Sequence, residues 1–204
     1  MLTDNKIWMR VVLLFLIIQF SFNLTHGQKL HANDSVNICK VTSKFFDWYV
    51  RAIKGTIKTD YQPKFVKSKS GMTTLDYKGY LASLKRLRCT DKLIQNEKDS
   101  YNECLSNISK VKFTDFKATF TDLDHLENIN CDFENYYRWT GGQEPIDGIK
   151  IERIERIKAD TFLVTITYYT DKGNGYGIAY WGTNKISILR NVDKWMIDDI
   201  NWID

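Results

Sequence analysis

The sequence predicts an α+β domain in which N-terminal helices pack on one face of an antiparallel sheet that closes the chain as a β-meander. Apolar residues recur at helical spacing in the segment 39–108. In the segment 149–202, apolar and polar residues instead alternate with period two, and turn sequences such as Asp171–Gly175 separate the runs. Helices followed by strands is the order typical of this fold class.

Residues 1–27 are predicted to form a cleavable secretory signal. A basic start precedes a largely apolar run at 11–22, and polar residues then lead to Gly27. The run of about 12 residues is shorter than the about 20 that span a bilayer, so an uncleaved anchor is the less favoured alternative. Met9 is an alternative start. We therefore expect a secreted or periplasmic protein with one α+β domain over 28–204 and no stable membrane anchor.

Charge and cysteine usage narrow the class of protein further. The formal net charge of +4 is small and no basic stripe is present, so we expect no nucleic-acid partner. Four cysteines in an exported chain imply two disulfide bonds. Cys104–Cys131 and Cys39–Cys89 are the preferred pairs, and the two other pairings stay open. The absence of a Cys-x-x-Cys spacing disfavours a zinc ribbon or a thioredoxin-like redox pair.

Three amphipathic helices are predicted in the first half of the chain. The first extends from about Cys39 to Lys54 and ends at Gly55. After a segment predicted to be a loop, the second helix covers Tyr77–Leu87 and the third covers Ile94–Ile108. Glu97 is the one polar residue on the apolar stripe of the third helix.

Strands are predicted in the second half. Phe113–Phe120 is interpreted as a first short strand, separate from the meander. Ile149–Ile157 has a period of two that slips, which indicates a bulged strand, with a helix as the alternative. The remaining strands of the meander are Phe162–Tyr168, Tyr176–Leu189 with a bend at Gly182, and Lys194–Trp202.

Two short motifs carry a resemblance to a known superfamily. Phe45–Tyr49 reads FFDWY in the first helix, and Lys194–Ile200 reads KWMIDDI in the last strand. In these motifs and in the order of its elements, the chain resembles secreted bacterial proteins of unknown function in the nuclear-transport-factor-2-like (cystatin-like cone) superfamily. The resemblance implies a curved sheet wrapped around helices, with a pocket at the open end of the cone. That superfamily holds isomerases, dehydratases, transport factors and binding modules, so the fold does not decide the function.

Few side chains suit acid–base chemistry. Only His31 and His125 follow the predicted signal, so nothing indicates a nucleophilic triad or a histidine-rich metal centre. The alternative function is an isomerase- or dehydratase-type enzyme, because enzymes of the superfamily use a pocket carboxylate as a proton-transfer base. Asp199, Tyr180 and Asp47 are the candidates for those roles, with Asp199 expected to face the interior of the cone. We expect no cofactor and no metal.

Aromatic residues near a glycine pair favour a binding function. The loop around Gly141–Gly142 contains Trp139, Gln143 and Glu144, and Trp181 lies in a predicted strand. These four side chains are the predicted binding residues, because exposed aromatics beside polar groups are typical of recognition surfaces. The favoured function is an exported, non-enzymatic binding module that engages a protein or small ligand through the concave sheet face or this loop.

Overall fold

Helices occupy most of the N-terminal half of the chain. A computed structural model describes residues 31–120, 122–173 and 177–203, so the predicted signal lies outside the described residues. The helices are α1 (Ala32–Ile53), α2 (Lys78–Arg86), α3 (Asp91–Asp99), α4 (Asn102–Ile108), α5 (Phe113–Thr119) and α6 (Leu123–Glu127), followed by a 3₁₀ turn (Asp132–Asn135).

The helical periodicity located the first helix, although α1 begins at Ala32, seven residues before the predicted start at Cys39, and it missed two further features. The predicted third helix is two helices, α3 and α4, because the Ser100 hydroxyl donates to the Glu97 carbonyl oxygen (2.7 Å) and ends α3. The strand predicted over Phe113–Phe120 is wrong, since this segment is α5. Its aromatic residues are spaced for a helix: Phe116 is buried and its ring stacks on Phe120 at 5.1 Å between centroids.

A short hairpin replaces part of the loop predicted between the first two helices. Strand β1 (Lys64–Lys67) pairs antiparallel with β2 (Thr73–Asp76), with Phe65 opposite Leu75. Gly71 has a φ of +88°, a backbone conformation that glycine adopts without a steric penalty, and it lies in the connecting turn.

The predicted four-stranded meander is confirmed. Strands β3 (Gly148–Lys158), β4 (Thr161–Asp171), β5 (Ile178–Asn191) and β6 (Lys194–Ile203) are antiparallel neighbours in that order. The slipped period in β3 corresponds to two register shifts against β4. Gly182, with a φ of +59°, lies at a register shift between β4 and β5, at the predicted bend.

The core lies between α1 and one face of the sheet. Helix α1 contacts both β3 and β6 and so crosses the meander. On β4, buried residues alternate with half-buried ones, so one face of the sheet packs on the helices. The largest fully buried side chains include Tyr49, Tyr80, Tyr168, Phe45, Phe46 and Phe162. The α+β class with N-terminal helices is therefore confirmed.

The structure contains one of the two predicted disulfide bonds. Cys104 in α4 is bonded to Cys131, as predicted. Cys39 and Cys89 are free thiols, which corrects the second pair. The neighbours of Cys89 hold its backbone against β6: Thr90 donates to the Ile197 carbonyl oxygen (2.8 Å), so Cys89 is fixed away from solvent rather than presented for bonding. Burial, assisted by the charge of Glu97, raises the pKa of the Cys89 thiol, which keeps it protonated.

Removing the disulfide bond should lower stability substantially. Closing a loop of 27 residues restricts the unfolded chain, and the loop-entropy relation gives about 3.5 kcal/mol for that restriction. We expect a Cys104→Ala, Cys131→Ala protein to lose roughly this free energy of unfolding, measured in urea. Cys39→Ala is the matched control and should change little. Equal unfolding midpoints for the two variants would contradict the role of the bond.

An ion pair joins the end of α1 to the segment before β3. The Lys54 ammonium donates to Asp147, whose second carboxylate oxygen accepts from the backbone N–H of Asp171 (2.6 Å). The hydrogen bond from Lys54 lowers the pKa of Asp147; partial desolvation opposes this, and the Asp171 N–H adds to the lowering.

The depressed pKa of Asp147 predicts a pH-dependent contribution to stability. The contribution is present above the unfolded-state pKa, about 3.9, and is lost as the pH falls through the lower native pKa. Asp147→Asn should therefore lower the free energy of unfolding at neutral pH by about 1 kcal/mol or less, because the pair is partly exposed. Below the native pKa the two proteins should unfold alike in urea. A difference that grows in acid would contradict this assignment.

Candidate functional site

Three of the four predicted binding residues meet in one apolar groove. The groove, called here the Trp181 groove, has a volume of about 400 Å³ and carbon atoms make up most of its wall. One side is the loop that follows Trp139, and the other is the paired ends of β4 and β5. Its lining residues are Gly142, Gln143, Glu144, Pro145, Thr170, Lys172, Ala179 and Trp181.

The alternation of β5 and a hydrogen bond place the Trp181 indole. Adjacent strand residues face opposite sides of a sheet, and accordingly Tyr180 is 54% exposed whereas Trp181 packs against the core. The indole Nε1 donates to the Thr170 hydroxyl (3.0 Å), and the ring lies 5.5 Å from that of Tyr168 between centroids. These contacts with Thr170 and Tyr168 fix the indole against β4.

Gly142 allows the loop to approach the indole closely. A Cβ atom built on Gly142 would lie 3.2 Å from Cη2 of Trp181, tighter than an ordinary van der Waals contact. The glycine therefore lets the backbone that carries Gln143 and Glu144 lie directly beside the ring. Gly142 of the predicted glycine pair thus has a packing role, because its lack of a side chain lets the loop form one wall of the groove.

Trp139, the fourth predicted binding residue, does not line this groove, and its burial corrects the expectation that it is an exposed aromatic. Its side chain is 3% exposed and its ring packs edge-on against Phe45, with 5.4 Å between centroids. Its carbonyl oxygen accepts from the Tyr168 hydroxyl (2.8 Å) and from the amide of Asn184 (3.1 Å). These hydrogen bonds anchor the start of the loop to the sheet. The large aromatic ring of Trp139 fills space in the core.

The three residues considered for proton transfer lie apart. Asp47 is exposed on α1 and pairs with Arg51 at 3.6 Å. Tyr180 packs edge-on against Tyr169 on the exposed side of the sheet. Asp47 and Tyr180 line neither the Trp181 groove nor the separate cavity that Asp199 lines.

Asp199 is not on the buried face of β6, which corrects the expectation from simple alternation. A bulge at Asp198 shifts the period by one residue, so Ile197 and Ile200 both pair with buried positions of β5, whereas Asp199 lies opposite Ser187. The Asp199 carboxylate accepts from the backbone N–H of Ile200 (3.0 Å) and from the side-chain amide of Asn201 (2.8 Å).

A buried carboxylate, Glu97, lies at the centre of a hydrogen-bond network. The side chain is 1% exposed. Its Oε1 accepts from the hydroxyls of Tyr80 and Tyr101, each at 2.8 Å, and its Oε2 accepts from Nε of Arg138, also at 2.8 Å. Helices α2 and α3, the segment before α4 and the loop before β3 contribute these groups, so the network connects four parts of the chain.

The network adjoins a second cavity, called here the Glu97 cavity, of about 430 Å³. Its lining residues are Leu93, Asn96, Glu97, Arg138, Trp139, Asp199, Ile200 and Asn201. The cavity lies between α3 and the edge strand β6. Polar atoms make up most of its wall, which includes a cation from Arg138 and an anion from Asp199.

The pKa shifts around Glu97 fix the protonation of its partners. Burial raises the pKa of the Tyr80 and Tyr101 hydroxyls, and the charge of Glu97 raises it further, so both remain donors. Burial opposes the charge of Arg138, but the Glu97 carboxylate outweighs burial and the pKa of the guanidinium is raised. The sequence signal for this site was Glu97 itself, the lone polar residue on an apolar stripe.

Comparisons with protein-family models, with curated proteins and with solved structures found no match for this chain. No helix within the described residues is long and apolar enough to cross a membrane. The same residues bring together no group of three side chains suited to hold a metal ion.

Proposed function

We propose that this chain is an exported, non-enzymatic binding module whose Trp181 groove receives an apolar side chain of a partner protein. The observation that carries the proposal is the groove itself, in which Trp181, Gln143 and Glu144 surround one apolar concavity. The disulfide bond is compatible with a compartment outside the cytoplasm, in line with the predicted signal.

The chemistry of the groove favours a protein partner. A wall made mostly of carbon matches an apolar side chain, because a hydroxyl-rich glycan would lose hydrogen bonds there without replacement. Lys172 and Glu144 lie at the groove with opposite charges, so a partner that pairs with both gains specificity from a polar rim around an apolar centre.

The alternative, an isomerase- or dehydratase-type enzyme, has weaker support. Asp47, Tyr180 and Asp199 do not share a cavity. Glu97 is buried beside two tyrosine hydroxyls, an environment that suits a proton-transfer base, but its oxygens already accept from three donors. Phe45 and Phe162 fill the space between α1 and the sheet.

Affinity capture from the exported fraction of the source cells tests the proposal. The bait protein would be compared with an Ala179→Arg variant, which fills the groove with a long side chain without removing a core residue. We expect a saturable partner on the unmodified bait and its loss with Ala179→Arg. Trp181→Ala should give the same loss, although it also removes the hydrogen bond to Thr170.

Tyr180→Ala is the matched control, since Tyr180 is adjacent in sequence and faces away from the groove. This variant should retain the partner fully. A partner that binds Ala179→Arg as well as the unmodified bait would contradict the proposed site. Loss with Tyr180→Ala alone would place the interface on the open face of the sheet instead.

A further inference from the structure

Arg138 is held firmly but uses only part of its hydrogen-bonding capacity. Its Nε donates to Glu97, and the guanidinium carbon lies 5.7 Å from the centroid of the Trp139 ring. Across residues 31–120, 122–173 and 177–203, its two terminal nitrogens donate no hydrogen bond to a protein acceptor. The side chain is 38% exposed and lines the Glu97 cavity.

The cost of burying Glu97 indicates a positioning role for it. A buried ion pair rarely stabilises a fold more than apolar residues of similar size would. Here Glu97 is fixed by Tyr80 and Tyr101 and in turn fixes one edge of the guanidinium. The opposite edge, with two parallel N–H groups, has the fork geometry that binds a carboxylate in a bidentate manner.

We propose that the Glu97 cavity is a second binding site, for a small ligand that carries an α-carboxylate and an N–H group on the neighbouring carbon. Arg138 binds the carboxylate, and Asp199 accepts from the N–H group. Free amino acids and the carboxyl ends of peptides share this chemistry. The site is separate from the Trp181 groove and does not depend on the function proposed for it.

The charges in the cavity disfavour a phosphate. Asp199 lines the same cavity as Arg138, and its negative charge would repel a multiply charged anion. A ligand with one carboxylate and one donor satisfies both groups. Polar atoms make up most of the cavity wall, and Leu93, Ile200 and Trp139 supply its smaller apolar part. A leucine side chain matches that apolar part, so leucine derivatives are the appropriate probes.

A matched pair of probes isolates the carboxylate. N-acetyl-leucine and N-acetyl-leucinamide differ only in the group that would meet Arg138. Titration calorimetry of the full chain should show saturable binding of the first and none of the second up to about 10 mM, the weak end of measurable affinity. The ¹⁵N-detected Nε–H signal of Arg138 should shift with the first probe only. Free leucine as a third probe distinguishes an amino-acid site from a site for peptide ends.

Variants at two positions test whether Arg138 is the residue that binds the carboxylate of the probe. Arg138→Lys keeps the charge beside Glu97 but loses the fork, so it should bind N-acetyl-leucine at least about tenfold more weakly. Arg153→Lys is the control, because Arg153 is exposed and pairs with Glu155 on β3, and it should bind normally. The groove variant Ala179→Arg should also bind the probe normally, so failure of one site is distinguishable from failure of the other.

Any one of the following results would overturn the second site. These are equal binding of the acid and the amide, unchanged binding by Arg138→Lys, and displacement of N-acetyl-leucine by inorganic phosphate at equal concentration. Absence of any carboxylate-dependent shift up to about 10 mM would overturn it as well.

Discussion

Glu97→Ala is expected to destabilise the protein by about 3–5 kcal/mol, the cost of breaking a buried ion pair from one side. The substitution leaves the Arg138 guanidinium without its carboxylate. It also leaves the hydroxyls of Tyr80 and Tyr101 buried without an acceptor. Urea unfolding followed by circular dichroism measures the loss directly.

Single removals of the other partners separate the parts of this network. Tyr80→Phe and Tyr101→Phe each remove one hydrogen bond to a charged group, worth about 1.5–3 kcal/mol. Glu97→Gln keeps an acceptor for the tyrosines and removes the charge, so its cost should fall below that of Glu97→Ala. If Glu97→Ala cost less than either tyrosine variant, the carboxylate would not be the centre of the network.

Phe45→Ala should also destabilise the protein by about 3–5 kcal/mol, the usual cost of truncating a buried phenylalanine. Phe45 is fully buried on α1, and its ring contacts those of Phe46, Trp48 and Trp139 at centroid distances of 5.2, 5.7 and 5.4 Å. The cavity left behind would open the contact between α1 and the loop that begins at Trp139. Thermal and urea unfolding both report the loss.

Val36→Ala on the same helix is the matched control. Val36 is 65% exposed, so this change should alter stability by no more than about 0.5 kcal/mol. Similar costs for Phe45→Ala and Val36→Ala would mean that α1 does not pack on the rest of the domain as described.

The predicted helices and strands differ in how well local sequence determines them. The meander was predicted because each strand buries one face. Apolar and polar residues therefore alternate with period two, as in Phe162–Tyr168. Short elements carry less signal. In α5, Phe113, Phe116 and Phe120 were compatible with a short strand, and only packing of the rings decides for the helix. The β1–β2 hairpin was missed because two four-residue strands hold too few residues to establish a period.

The local sequence also predicts the candidate sites only in part, because they combine residues that are far apart in the chain. The alternation of β5 accounts for the opposite orientations of Tyr180 and Trp181. It gave no information on whether Trp139, in an irregular loop, faces inward. The Glu97–Arg138 contact joins residues 41 positions apart in different elements, and no local pattern predicts such a pair. A polar residue on an apolar helical stripe signals only that some partner must exist.

Site-specific photo-cross-linking tests the central claim, that the Trp181 groove is a protein-binding site. A photoreactive phenylalanine analogue would replace Gln143 in the groove and, in a control protein, Glu152 on the β3 edge strand. We expect one cross-linked partner from position 143, none from position 152, and loss of the product when Ala179→Arg is added. A partner cross-linked from position 152 alone, or a product from position 143 that persists with Ala179→Arg, would contradict the claim.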